Sequence, residues 1–195
     1  MKIIKFIALI IVWVLAVYGV RQVGRIYDAD RYSVLASYNM EKGEYSEAMK
    51  YADLSIKLNP NEPSYYRVRA LAYLAFNVLE KNPAYKEKAQ KDVLSAISLN
   101  PDNLVTKRNF VPIMYFLAGK DYDDGSCCVD RDSKYFKDTE EYFQNLKNDY
   151  PQDAGIISLV AEYEKKLKME EEYTESVEII RKLRPDLLEW YRSFN

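Results

Sequence analysis

The chain has 195 residues, 48% apolar and 30% charged, with only 6 glycines and 7 prolines, which is too apolar for a disordered chain and too poor in turn residues for a β-sandwich, so helices are favoured. It has no histidine, and its two cysteines, Cys127 and Cys128, are adjacent; this excludes Ser-His-Asp and Cys-His catalysis as usually built, histidine metal sites and any zinc spacing. Residues 1–25 carry four bases and no acid, leaving 24 bases against 30 acids in the remainder, a net of -6 that argues against nucleic acid as the main partner.

From Phe6 to Val20 the chain reads FIALIIVWVLAVYGV, fifteen residues without a charge. Ile3 and Ile4 extend the stretch if Lys5 snorkels its ammonium to the headgroups, so residues 3–20 would span roughly 27 Å as a helix. A bilayer core is about 30 Å thick. A cleaved signal peptide would have to use Val17 and Gly19 as a weak cutting pair, and Arg21 and Arg25 follow closely, which disfavours cutting there. Residues 1–25 therefore predict an uncleaved N-terminal transmembrane anchor. Lys2 and Lys5 on one flank nearly balance Arg21, Arg25 and Arg31 on the other, so charge alone does not orient it. A very short N-terminal tail usually stays in the cytoplasm, which places residues 26–195 outside it.

The body repeats an ending. Residues 48–60 read AMKYADLSIKLNP and residues 89–101 read AQKDVLSAISLNP. In each, alanine is followed seven residues later by a small residue and five after that by proline. A spacing of seven puts both small residues on one helix face, where they let a neighbouring helix approach; the proline then stops the helix. Upstream, Tyr32, Leu35, Ala36 and Asn39 follow helical spacing, Gly43 closes that helix and Tyr45 opens the next.

With Tyr32, Leu35-Ala36, Gly43-x-Tyr45-x-x-Ala48, Ser55 and Pro60 in this order, the first unit resembles the tetratricopeptide repeat, a 34-residue helix pair. Asn39 stands where the family has tyrosine, and Ser55 where it has alanine. The second unit has Tyr66, Ala70, Tyr73, Ala89, Ala96 and Pro101, with Arg69 where leucine is usual. The third ends on Thr139, Leu146 and Pro151; its first helix, about 102–118, contains Pro112, which should kink or split it. The fourth closes at Pro185, 34 residues after Pro151.

The resemblance implies an all-α fold: a right-handed superhelical stack of about four helix hairpins behind the anchor. The units fall at about 29–61, 63–101, 102–151 and 153–185. A capping helix would follow over 186–194, with Leu187, Tyr191 and Phe194 on one face. It also implies a concave groove, lined by first helices, that receives a protein or peptide. Its contact positions fall on Ser33, Ser37 and Met40, on Arg67, Leu71 and Leu74, and on Arg108 and Asn109. Ser33 and Ser37 occupy the Lys and Asn places of the family's carboxylate clamp, which is not reproduced. Arg67 and Arg108 could attract an acidic segment.

A long irregular stretch, residues 119–134, separates the helices of the third unit. Asp121, Asp123, Asp124, Asp130 and Asp132 suggest calcium, but with Gly125 at the sixth position the first, third and twelfth are Lys120, Tyr122 and Arg131, so the EF-hand pattern fails. A bond between Cys127 and Cys128 would be strained, leaving plain thiols or a link to a second chain. Glu140/Glu141 and Glu170/Glu171/Glu172 read as helix-surface charges. No catalytic constellation is present, and no cofactor, metal or small-molecule ligand is expected.

The expected function is thus a membrane-anchored scaffold for protein partners, in a cell-envelope assembly or biogenesis complex. The alternatives are a cytoplasm-facing targeting receptor, and a metal-binding or enzyme-accessory protein using the acidic loop.

Overall fold

The computed structural model describes the backbone of residues 2–119 and 129–192, and the side chains of 6–7, 9–119 and 129–188. Asp121, Asp123, Asp124, Cys127, Cys128 and the faces of Tyr191 and Phe194 lie outside these described residues. The first element, α1, is one helix of 40 residues, Lys2–Glu41. It is long and apolar enough to cross a membrane: its apolar window has a mean hydropathy of 1.6, and none of it is buried against the rest of the chain. The expected division at 25/26 falls inside this helix.

Past Arg25 the same helix becomes part of the body. Ala29 and Ala36 are 0% exposed, and Asn39 is buried. These three lie along one helical face. They pack on α2 (Tyr45–Leu58), whose own inward residues are Ala48, Ala52 and Ser55. Both faces of this contact are built from small side chains, as the spacing of seven requires. Arg25 ties the helices at their other end by donating from Nη2 to the Leu58 carbonyl at 3.0 Å.

The remaining helices are α3 (Pro63–Glu80), α4 (Ala84–Leu99), α5 (Leu104–Ala118), α6 (Lys134–Asp149), α7 (Ala154–Lys166), α8 (Glu170–Leu183) and α9 (Pro185–Arg192). The described residues are thus all-helical. A single isolated β-bridge, Gly119 to Val129, closes the base of the long connection between α5 and α6. Consecutive helices pack on each other, and each odd helix also meets the next odd one: α1 with α3, α3 with α5, α5 with α7. Even helices do not pack backbone to backbone among the described residues; they are bridged by long side chains, Gln90 of α4 to Asp138 of α6 and Lys147 of α6 to Ser176 of α8. The main core runs through α3 to α7, with Phe110, Val111, Ile113, Leu117, Phe143, Leu146, Ile156 and Val160 all at most 2% exposed.

The repeated proline works through its neighbours. Proline disfavours the α conformation in the residue before it. Asn59, Asn100, Tyr150 and Arg184 each precede one, and all four adopt φ between -131° and -149° with ψ between 57° and 87°. Each therefore ends its helix. Two residues after the first three prolines stands an acceptor side chain that caps the next helix. Glu62 accepts from the Ser64 amide, Asn103 from the Thr106 amide, and Asp153 from the Gly155 and Ile156 amides. Proline and cap together turn the chain in three residues.

The hairpin turns use a left-handed residue. Gly43 has φ 77° between α1 and α2, and Lys168 has φ 57° between α7 and α8. The two turns match bond for bond. The Glu44 amide donates to the Asn39 carbonyl and the Met169 amide to the Glu164 carbonyl; Gly43 donates to Met40, and Lys168 to Lys165. Lys168 thus holds the conformation that glycine takes in the first turn. An L-residue there costs about 1–2 kcal/mol, and glycine gives back about 0.5–1 through its freer unfolded chain. Lys168→Gly is therefore expected to stabilise the protein by about 0.5–1 kcal/mol in urea unfolding. Gly43→Ala should destabilise it by a similar amount, since a Cβ there meets nothing within 4 Å and only the backbone conformation is penalised.

Pro112 does not split its helix. It sits inside α5, which runs unbroken from Leu104 to Ala118. The lost amide bond is outweighed by burial on both sides of it: Val111 is 0%, Ile113 1% and Leu117 1% exposed.

Candidate functional site

The eight residues singled out from the sequence lie on three successive odd helices. Ser33, Ser37 and Met40 are on α1, Arg67, Leu71 and Leu74 on α3, Arg108 and Asn109 on α5. The contacts of α1 with α3 and of α3 with α5 place the three helices that carry them side by side. Arg108 and Asn109 are exposed, and Ser33, Ser37, Met40, Arg67 and Leu71 are half-buried. Leu74 is only 8% exposed and belongs to the main core, which leaves it little surface to offer. Ser37 Oγ donates to the Ser33 carbonyl, so that hydroxyl is satisfied within its own helix.

Arg67 and Arg108 make no ion pair with any described residue, and Arg67 Nε is buried without a hydrogen-bond partner. Arg69, two residues from Arg67, is fully engaged. Its Nε and Nη2 grip the Asp92 carboxylate at 2.8 and 2.6 Å, and its Nη1 reaches Asp53 at 2.7 Å. Burial pushes the Asp92 carboxyl up from its ordinary value, against the pull of Arg69. Burial also works against the Arg69 charge, but the bonds to Asp92 and Asp53 leave its pKa raised. The two arginines therefore differ: one clamps α2, α3 and α4 together, the other keeps unpaired donors.

Tyrosine hydroxyls make further links across the stack. Tyr65 on α3 donates to Asp30 on α1. Tyr142 on α6 donates to the Lys107 carbonyl on α5 at 2.6 Å, and Tyr150 to the Asp102 carbonyl at 3.3 Å. Burial pushes the Tyr142 phenol pKa up, so it remains a donor. The 18 tyrosines of the sequence are in part explained here: rings fill the core and hydroxyls bond carbonyls at its margin.

Two polar constellations were invisible in the sequence. One is the Arg69 fork, for which the only signal was a charge in a place usually held by leucine. The other is a buried cluster across α6, α7 and α8. Lys147 lies 3.0 Å from Glu164 Oε1 and 3.3 Å from Ser176 Oγ, and Ser176 donates to Glu164 Oε2 at 2.7 Å. The Lys147–Glu164 contact is an ion pair, and Glu164 Oε1 has no hydrogen-bond partner among the described residues. All three side chains are closed to solvent, so this serine and lysine meet no substrate.

A surface cleft of about 790 Å³ opens between the α6–α7 turn and the end of α8, lined by Tyr150, Asp153, Gly155 and Arg184 among others. Its anion-binding groups are already taken. Asp153 occupies the first free amides of α7, and Arg184 pairs with Asp186 at 2.9 and 2.7 Å. No group of three or more acidic or thiol side chains able to hold a metal occurs among the described residues. No family model matches the chain, and no curated protein matches it.

Proposed function

We propose that the chain is a membrane-anchored scaffold of tetratricopeptide-like hairpins whose odd helices hold a segment of another protein. One observation carries this. Odd helices pack closely in succession, while even helices lie further apart and reach one another only through long side chains among the described residues. A stack of that kind bends with its odd helices inside, in a right-handed superhelix if the family geometry applies. The inner surface then carries Ser33, Ser37 and Met40, Arg67 and Leu71, and Arg108 and Asn109. Its two unpaired arginines suit an acidic segment, and its serines and asparagine suit a peptide backbone. The body would lie outside the cytoplasm, joined to the bilayer by residues 3–20. The chain does this work by binding, with no catalysis and no cofactor.

The test is affinity capture from detergent extract with the full chain and with Arg67→Glu/Arg108→Glu. The intact chain should recover a defined partner, and the variant should lose most of it at unchanged thermal stability. Recovery of nothing beyond chaperones, or equal recovery by both, would count against the groove. Protease added to intact cells should reach the body; a protected body that is cut only after lysis would favour the cytoplasm-facing receptor.

A further inference from the structure

We infer that the stack is fixed on the bilayer in one pose, with its proline-turn edge against the lipid headgroups and its hairpin-turn edge pointing away. This rests on the anchor proposed above. The carrying observation is that anchor and first body helix are one element, Lys2–Glu41, without a linker. The apolar run ends at Val20, which is 74% exposed. Arg25 stands five residues further on, a rise of about 7.5 Å. The polar layer on each side of a bilayer core is roughly 5–7 Å deep. Arg25 therefore sits at its outer margin, and Arg25 is the residue that holds the last carbonyl of α2 at 3.0 Å. The turn that follows, residues 59–63, starts at that level. The opposite turn begins at Lys42, about 33 Å above Val20 along the same helix.

The other helices extend the two edges. α2 returns toward the membrane, α3 leaves it again, and the contacts of α1 with α3 and α3 with α5 keep the odd helices side by side. The turn at 100–103 thus joins the edge nearer the bilayer. Lys81 at the end of α3, and the Gly119–Val129 bridge at the end of α5, join the far edge.

The chemistry of the near edge fits neutral headgroups. Asn59, Asn61, Asn100 and Asn103 offer amides, and the acids Glu62 and Asp102 offset part of the positive charge that Arg21, Arg25 and Lys57 bring to the same level. The unbroken course of α1, more than surface charge, therefore sets the pose. It also restricts a partner: the inner surface runs upward from the headgroups, so a segment entering the groove lies close to the membrane at one end.

The test uses the full chain with Cys127→Ser/Cys128→Ser, nitroxide-labelled at Asn61→Cys or at Lys42→Cys, in phosphatidylcholine vesicles. A nickel chelate attached to the lipid headgroups should relax the Asn61 label several-fold more than the Lys42 label. Adding anionic lipid should leave the ratio unchanged. A flexible Gly-Ser-Gly-Ser-Gly insertion after Gln22 should bring the ratio close to one. Flotation with equal relaxation of the two labels in the uninterrupted chain overturns the pose while sparing the anchor, as does a difference that appears only with anionic lipid. Failure to float, or loss of residues 1–25 by mass spectrometry, removes both.

Discussion

Lys147→Met is expected to destabilise the fold by about 3–5 kcal/mol, the range for breaking a buried ion pair from one side. The lysine is 3% and the Glu164 side chain 1% exposed, so neither charge can recover solvent if the other is removed. Lys147 also bonds Ser176 Oγ at 3.3 Å, and its outer contact, Glu175 at 3.5 Å, is itself 57% exposed and adds little. What the methionine leaves behind is a carboxylate held only by the Ser176 hydroxyl. The double variant Lys147→Met/Glu164→Leu removes both charges and should recover most of the loss, because an apolar pair of similar volume escapes the desolvation cost. Urea unfolding of the full chain in micelles measures both. A stack of this kind is stabilised unit by unit, so hydrogen exchange should show where the damage falls. Protection should drop in α7 and α8 and persist in α1 to α4. A loss below 1 kcal/mol for the single variant would mean that water reaches the pair.

Much of this architecture could be read locally. Gly43, Tyr45, Ala48, Ser55 and Pro60 fix one hairpin through backbone conformations and close approaches that depend on residues a few positions apart. The same holds for the prolines, because a proline acts on its own neighbour. Two features were not legible for the same physical reason. Lys147 and Glu164 are on different helices, and nothing near either residue shows that the other will be buried beside it. Pro112 is the opposite case: its local effect is to kink or split a helix, and with packing at Val111, Ile113 and Leu117 the helix is not split. Leu74 falls at a contact position of the repeat family and is nearly enclosed, at 8% exposed. It shares one buried cluster with Val93, Phe110 and Met114, from helices that the spacing within α3 cannot report. The continuity of α1 was also hidden, since charge and composition change sharply near Arg25 while the backbone does not.

Arg69→Leu restores the residue usual at that place in the repeat, yet it is expected to cost about 3 kcal/mol. Asp92 is the reason. Its side chain is 4% exposed and both its oxygens are held by the guanidinium, at 2.6 and 2.8 Å. Leucine would leave that carboxylate buried and unpaired. The low end of the range applies because the arginine itself is 19% exposed, so water can follow it in part. The second arm is weaker: Asp53 is 57% exposed, and Asp53→Ala should cost less than about 1 kcal/mol. Arg69→Lys tests the geometry apart from the charge. A single ammonium cannot bond both Asp92 oxygens in the plane of the carboxylate, so its loss should fall between those of the other two variants. Arg69→Leu/Asp92→Leu removes donor and acceptor together and should regain most of the stability. A loss below 1 kcal/mol for Arg69→Leu in urea unfolding would mean that water reaches Asp92 once the guanidinium is gone. Burial already pushes the Asp92 carboxyl up, and leucine removes the charge that opposes it. A carboxyl with a raised folded pKa contributes stability that is present below its unfolded pKa and is lost as pH rises toward the folded one. The deficit of Arg69→Leu should therefore be smaller in mildly acid than in neutral urea unfolding, and a deficit independent of pH would show that Asp92 is solvated in the variant.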